Sequence, residues 1–504
     1  MTIDLVAINV PPGVVRHGTD SQSSGRWRDV NFVRWTNGVL HPIGGWEQVS
    51  GVQITGDRVC RGAHSWYTNG GIPYVATGTY DALYVLDGSG TLTDITPADL
   101  TDGFKNADEN LGYGGKAYGQ GTYGTQRTSD GQTVGATTWS LDNWGEDLVA
   151  CSAFDKRILV WELNTASNAT TIAGSSYTVT GSVPTSNIGI IVTGERFLFA
   201  LGADGNPRQI RWCDREDLGD WQPSTTNEAG DIELQTNGNI VCAEKVRGRT
   251  LILTTTDAHI ATYQGPPTVY GFQRVASACG IAAPLVSTSV SGMAFWMGDS
   301  SFYMYNGSTV TPIPCDVHDY VFKDINKAEI HSAFCVSNQK NHEIWWFYPS
   351  AGSLENDRYV VFDYAENHWS IGALARSAGV DSGVFTNPHY IDTDGYFYRH
   401  EKGYNHGGSS AYAETGPLRL NEGNKVLKAN SLIPEEGTQG EADVYFKTRL
   451  YPNGAETTHG PYTTGNPTDV RFTGRQVRMK VEGDVAANWR VGRMALRMKE
   501  GGYR

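Results

Sequence analysis

The chain has 504 residues and a formal net charge of −14, with 40 lysines and arginines against 54 aspartates and glutamates. Glycine supplies 60 residues, 39 per cent are hydrophobic, 11 per cent aromatic and only 19 per cent charged. This composition excludes a coiled coil, a basic nucleic-acid-binding domain and wholesale disorder. At about 100–200 residues per domain it allows two to four domains, unless one repeating architecture spans most of the length.

Abundant Gly, Tyr, Trp, Thr and Val with only 7 Met point to strands, because aromatic and β-branched residues suit a pleated, half-buried surface. No run of 18 apolar residues occurs, so no membrane-spanning helix is expected. The start, Met1-Thr2-Ile3-Asp4-Leu5, lacks the basic and apolar regions of a signal peptide. The seven cysteines (Cys60, Cys151, Cys213, Cys242, Cys279, Cys315, Cys335) are scattered, with no Cys-x-x-Cys, and read as reduced thiols buried in strands.

Residues 1–50 read as a strand segment that enters or closes the fold that follows. Next comes Tyr74-Val75-Ala76-Thr77-Gly78-Thr79-Tyr80-Asp81-Ala82-Leu83-Tyr84-Val85-Leu86, a strand, a polar turn and a strand. The pattern returns at 148–161, 188–200, 250–263, 293–305, 342–364 and 389–400, the starts being 74, 40, 62, 43, 49 and 47 residues apart. Four of these six intervals match the roughly 40–50 residues of a four-stranded propeller blade. The two long ones read as insertions. Leu83-Tyr84-Val85-Leu86-Asp87-Gly88 and Phe302-Tyr303-Met304-Tyr305-Asn306-Gly307 rhyme, each with a further strand behind it, and Asp-Gly and Asn-Gly offer the positive φ of tight hairpins. An all-β propeller of six or seven blades over residues 51–409 is the expectation; a sandwich of independent hairpins gives similar spacing.

The first long interval, about 101–147, holds a Gly/Tyr-rich stretch in which Tyr113, Tyr118 and Tyr123 lie five apart, each followed by Gly. Period five fits neither helix nor strand, so this is a loop with aromatic studs, either a tip or partner-contact loop or one packed on its own protein. Residues 410–504 read as a C-terminal β module, with polar and apolar residues alternating over 470–481. Residues 468–504 carry nine cations and four acids, a charge of +5 that leaves −19 on residues 1–467. Arg475, Arg478, Arg490 and Arg493 are the candidate docking surface toward an acidic neighbour; a solvated strand face is the plainer reading.

No catalytic constellation stands out. Gly298-Asp299-Ser300 echoes some serine nucleophiles but sits in a repeat turn, where Gly and Asp serve geometry, and His318 and His331 have no telling spacing. Metal-binding and phosphate-cradling motifs are missing, as is the Ser-x-Asp-x-Gly-x-Thr-Trp turn of sialidase-like propellers, and pairs such as Asp214/Glu216 are unremarkable in so acidic a chain. The expectation is no enzyme, no cofactor and no metal.

Three stretches resemble one family. Arg26-Trp27-Arg28-Asp29-Val30-Asn31-Phe32-Val33-Arg34-Trp35 with His41-Pro42-Ile43-Gly44-Gly45-Trp46 is similar to the opening of tail nozzle proteins of short-tailed bacteriophages, also described as tail hub or packaged-DNA stabilisation proteins. Trp139-Ser140-Leu141-Asp142-Asn143-Trp144-Gly145 follows the Gly/Tyr loop as in related phage proteins. Gly460-Pro461-Tyr462, Val470-Arg471-Phe472-Thr473-Gly474-Arg475 and Trp489-Arg490-Val491-Gly492-Arg493 look like that group's closing β module. The resemblance implies a virion protein: a hexameric ring at the distal tail, partnered by tail adaptor proteins and by tail fibre or needle/plug proteins, retaining the genomic DNA and passing it non-specifically on ejection. A receptor-binding, glycan-binding or glycan-cleaving propeller of a phage tail is the alternative, and a baseplate or adaptor protein of a longer tail a third.

Overall fold

Seven sheets of four antiparallel strands succeed one another between residues 46 and 400 in the computed structural model, which describes residues 3–501 apart from 110–132, 419, 421–424, 441 and 466. Each sheet is a blade. The innermost strands are Ala63–Tyr67, Trp139–Trp144, Gly189–Val192, Ile240–Val246, Ser287–Val290, Phe334–Asn338 and Ala378–Val380 for blades 1 to 7. Every innermost strand packs beside the next, and that of blade 7 returns to that of blade 1. The fold is a seven-bladed β-propeller. Blade 7 takes Ala378–Val380, His389–Ile391 and Tyr396–His400 from late in the chain and its outermost strand, Trp46–Gln53, from early in it. The ring is thereby closed by residues about 350 apart.

The blade rhymes have a common physical basis. Asp87 and Asn306 both turn the chain from third strand to fourth, their side-chain oxygens accepting backbone N–H groups two to four residues on, from Ser89 and Thr91 and from Ser308 and Thr309. The positive φ falls on Gly307 in one turn but on Gly90, not Gly88, in the other. One phase of the repeat differs from the sequence expectation. The pair at 188–200 begins on a first strand, whereas the other pairs begin on second strands. The second strands of blades 2, 3 and 4 start at Asp147, Leu198 and Arg249, 51 residues apart each time. The interval of 62 therefore holds no insertion. The insertion between blades 1 and 2 ends by residue 138, because Trp139 already opens the inner strand of blade 2.

The terminal module is a β-sandwich built from both ends of the chain. One sheet orders Ile3–Ile8, Met494–Glu500, Leu427–Pro434 and Thr468–Gly474; the other orders Trp27–Asn31, Tyr412–Thr415, Gln476–Gly483, Ala442–Arg449 and Thr457–Thr463. Residues 1–50 are thus shared: their first strands belong to the module and their last closes the propeller. Val444, Phe446, Val470, Phe472, Val477, Met479, Leu496 and Met498 fill the space between the sheets, with the Phe446 and Phe472 rings 4.7 Å apart. This core runs on into blades 5 and 6. Val14 N–H donates to Trp369 O at 2.8 Å, and Phe32 N–H to the Tyr359 hydroxyl at 3.0 Å.

Between the two bodies stands the hairpin Val33–Thr36 and Val39–Pro42. Leu40 exchanges backbone hydrogen bonds with Val491 of the module. On the other side, Arg34, only 8 per cent exposed, donates to Glu343 of blade 6 at 2.8 Å through two nitrogens and to Glu401 at 2.6 and 2.9 Å. One guanidinium therefore clamps the hairpin to blades 6 and 7. By area, the module and hairpin (1–45 and 410–504) hold 18 cations and 14 acids, and the propeller (46–409) 22 and 40, charges of +4 and −18.

Candidate functional site

The seven inner strands surround a central channel with a volume of about 420 Å³. Its polar groups sit at small or polar positions two apart on those strands: Ser140 and Asp142, Cys242 and Glu244, Ser287 and Ser289, Cys335 and Ser337. Most are spent on joining blades. His64 Nε2 lies 3.0 Å from Asn143 Oδ1, joining blades 1 and 2. Ser140 Oγ donates to Ile190 O at 2.7 Å and accepts from Ile190 N–H, joining 2 and 3. Asp142 accepts from Val192 N–H at 2.8 Å, and Lys245 of blade 4 reaches over blade 3 to both its oxygens, at 2.8 and 2.7 Å. Ser287 Oγ donates to Glu244 at 2.7 Å, Cys335 N–H to Leu285 O at 2.7 Å, and Ser337 Oγ to Asp381 at 2.8 Å. These links carry the series to blade 7. Burial pushes the Glu244 carboxyl up and the His64 imidazole down.

The described legs of the insertion lie at the mouth where the inner strands begin. Its two legs pair with each other, Phe104 N–H donating to Thr137 Oγ1 and Thr137 N–H to Phe104 O. Ala107 N–H donates to Glu329 of the blade 5–6 connection at 2.9 Å, and buried Arg61 donates to both Glu355 oxygens at 2.8 and 2.7 Å. Gly135 lies against the His331 ring so closely that a Cβ there would stand 2.5 Å from it. A second cavity of about 340 Å³, lined by residues such as Val134, Ile240, Ala282 and His331, lies at this mouth.

The motif with a nucleophile-like sequence is a turn: Gly298 N–H donates to Ser301 O, and His318 Nε2 meets the carbonyl of Ser300 rather than its hydroxyl. Asp214 accepts from the backbone of Arg215 and Glu228 while Glu216 pairs with Arg196, on blade 3 and away from the channel lining. Among the described residues no group of three or more His, Cys, Asp or Glu is placed to hold a metal ion. All seven cysteines are free, and burial pushes thiols such as Cys60, Cys151 and Cys213 up to about 12, which keeps them protonated and unreactive.

The four candidate docking arginines part company in the structure. Arg478 pairs with Glu414 and, at 3.1 Å, with Glu456, on an outer sheet face whose other cations are also matched: Lys447 with Glu414, Arg449 with Asp20, Lys480 with Glu482. Arg475 lies 5.5 Å from the centroid of the Tyr451 ring. Arg490 and Arg493 are exposed. Their backbones hold Gln439 and Glu435. Tyr113, Tyr118 and Tyr123 lie outside the described residues. The channel links escaped the sequence reading; the signal was polar residues two apart within otherwise apolar strands.

No protein-family model and no curated protein matches this chain. Among solved structures it is similar to a streptogramin B lyase (10 per cent identity, 70 per cent of this chain and 96 per cent of that one, TM-score 0.42). It is also similar to BamB from Moraxella catarrhalis (8 per cent, 73 and 92 per cent, 0.37) and to the β-propeller domain of Myceliophteria thermophila Cps50 (Swd1) (9 per cent, 70 and 99 per cent, 0.40). These proteins share the propeller with this chain, and the likeness is one of fold alone.

Proposed function

We propose that this chain is a non-catalytic structural subunit of a short-tailed phage tail, the nozzle ring that retains packaged DNA and conducts it on ejection. The observation that carries this reading is how the channel uses its polar groups. Asp142, Lys245, Ser140, Glu244 and Ser287 are engaged in holding blades together, as expected of a part that must keep its shape under load. The same economy bears on the conduit. A space of about 420 Å³ within one subunit passes no duplex, so DNA would run along the axis of a ring of copies. An acidic wall there repels phosphate, whereas a basic wall gains counterion-release affinity and retains it. The −18 of the propeller suits the first. The resemblance at Trp27–Asn31 and beyond, and the order of the three similar stretches, support this family reading.

Negative-stain microscopy of the purified chain, and of virions bearing a tagged copy, tests the reading. A sixfold ring with an open centre at the distal tail is the expected result. A protein outside such a ring that releases new reducing ends from host polysaccharide overturns it in favour of a depolymerase.

A further inference from the structure

The two outer faces of the sandwich differ in how their charges are used. On the five-stranded sheet the cations are matched by Glu414, Glu456, Glu482 and Asp20, as described. The four-stranded sheet turns Leu496, Met498, Val470 and Phe472 inward and presents Arg497, Lys428 and Arg471 to solvent, with Lys499 half-buried beside them. Register places Lys499 opposite Lys428, and Arg497 between Leu5 and Ser431. Among the described residues none of these four cations has a carboxylate within 4.0 Å, and Asp469 is the acid that shares their face. Beside them runs Ile3–Ile8, a strand paired on one side only, with Leu5 61 per cent exposed. An open apolar edge of this kind is normally covered or blunted.

We propose that this face of the sandwich, built on Lys428, Arg471, Arg497 and Lys499, docks onto the acidic propeller of a second copy of the chain. Charge complementarity argues for that occupant: +4 on the module and hairpin against −18 on the propeller. A twofold contact of this face with itself is disfavoured, since it would set four cations against four with one described acid, Asp469, on each side to offset them. The contact is therefore heterologous, each copy offering its module to the propeller of the next, and such contacts close into rings or run on as filaments. The proposal deepens the ring reading and rests on it for closure.

Carbodiimide coupling joins a lysine to a carboxylate that touches it. Applied to an equimolar mixture of isotopically labelled and unlabelled chains at about 50 mM salt, it should yield mixed-label cross-links from Lys428 and Lys499 to acids within 46–409. Light scattering should show assembly at that salt and its loss at about 500 mM, where exposed charges are screened. The variant Lys428→Glu/Arg471→Glu/Arg497→Glu/Lys499→Glu should associate at least tenfold more weakly. Arg497→Ser/Lys499→Ser, which keeps the strand polar and uncharged, should weaken it severalfold with unchanged melting. A ring that forms equally in both variants overturns the proposal while leaving the nozzle reading standing. A wild-type chain that is monomeric at every salt overturns it too, as does one that binds duplex DNA through these residues without self-association. Absence of the chain from tail rings in virions removes the nozzle reading instead.

Discussion

Lys245, on the inner strand of blade 4, places its ammonium 2.7–2.8 Å from both oxygens of Asp142 on blade 2, spanning the blade between them. Asp142 also accepts the Val192 N–H of that intervening blade and the N–H of Asn143. One carboxylate thus fixes three consecutive blades at the channel wall.

The two partners should not be equally costly to remove. Asp142→Ala leaves the buried Val192 N–H without its acceptor and removes the ion pair with Lys245, and should cost about 2–4 kcal/mol. Lys245 is half exposed, at 47 per cent for its side chain, so Lys245→Met should cost about 1 kcal/mol. Urea unfolding midpoints separate the two. Equal losses would mean that the Val192 bond contributes little.

Arg34 is a second keystone, holding two carboxylates with one positive charge. Arg34 keeps Glu401 below the usual carboxylate range, while burial beside Glu401 pushes Glu343 up. Arg34→Met leaves both acids without their cation and should cost about 3–5 kcal/mol. Arg34→Lys should recover only part, because an ammonium cannot grip two carboxylates bidentately. Limited proteolysis gives the local readout: cleavage within 33–42 should rise in both variants, most in the methionine one. A protected hairpin in Arg34→Met would show that the backbone bonds of Leu40 to Val491 suffice to hold it.

What could be read from the sequence was what repeats locally. Blade pairs were visible because each carries its own turn chemistry, as Asp87 and Asn306 do. The phase slipped at 188–200 because Ile188-Gly189-Ile190-Ile191-Val192 is as apolar as any second strand, so periodicity had nothing to distinguish the two. Pairings between chain ends left no local trace. Ile3–Ile8 reads as an isolated apolar run until Met494–Glu500 lies beside it, and the partners of Arg34 are 309 and 367 residues away. Charge counting located the basic end but not its division into matched and unmatched faces, which depends on register. Arg478 and Arg497 look alike in the sequence and differ in what their sheets bring near them.

Acid should loosen the closing blade first. His389 is 5 per cent exposed, its Nδ1–H donating to the Asn387 carbonyl, and burial lowers it from 6.5 to about 4. His400 is lowered as well by burial, and the Arg376 guanidinium donates to its Nε2 at 3.0 Å. The folded state resists protonating either ring, whereas the unfolded chain takes the protons readily. Stability is therefore full above about pH 6.5 and falls as pH drops toward 4, by up to about 3 kcal/mol for His389 alone. Melting temperatures at pH 7.5 and 4.5 should diverge for the wild type, and the gap should narrow in His389→Asn, which can still donate to the Asn387 carbonyl and leaves His400 in place. An unchanged difference in that variant would place the acid sensitivity elsewhere.

The arginines of the basic end should separate by role. Arg478→Glu sets a new carboxylate against Glu414 and Glu456 and leaves Glu414, 6 per cent exposed, with Lys447 as its remaining cation. It should destabilise the module by about 2–4 kcal/mol. Arg490→Glu with Arg493→Glu changes two exposed side chains and should stay within about 0.5 kcal/mol of the wild type. Any assembly defect in that pair then reports docking, whereas a defect in Arg478→Glu cannot be told from unfolding of the module. Differential scanning calorimetry read beside sedimentation decides between them. If Arg478→Glu melts like the wild type, the matched charges on the five-stranded sheet are a solvated network that carries little of the fold, and both outer faces of the sandwich become available for contact.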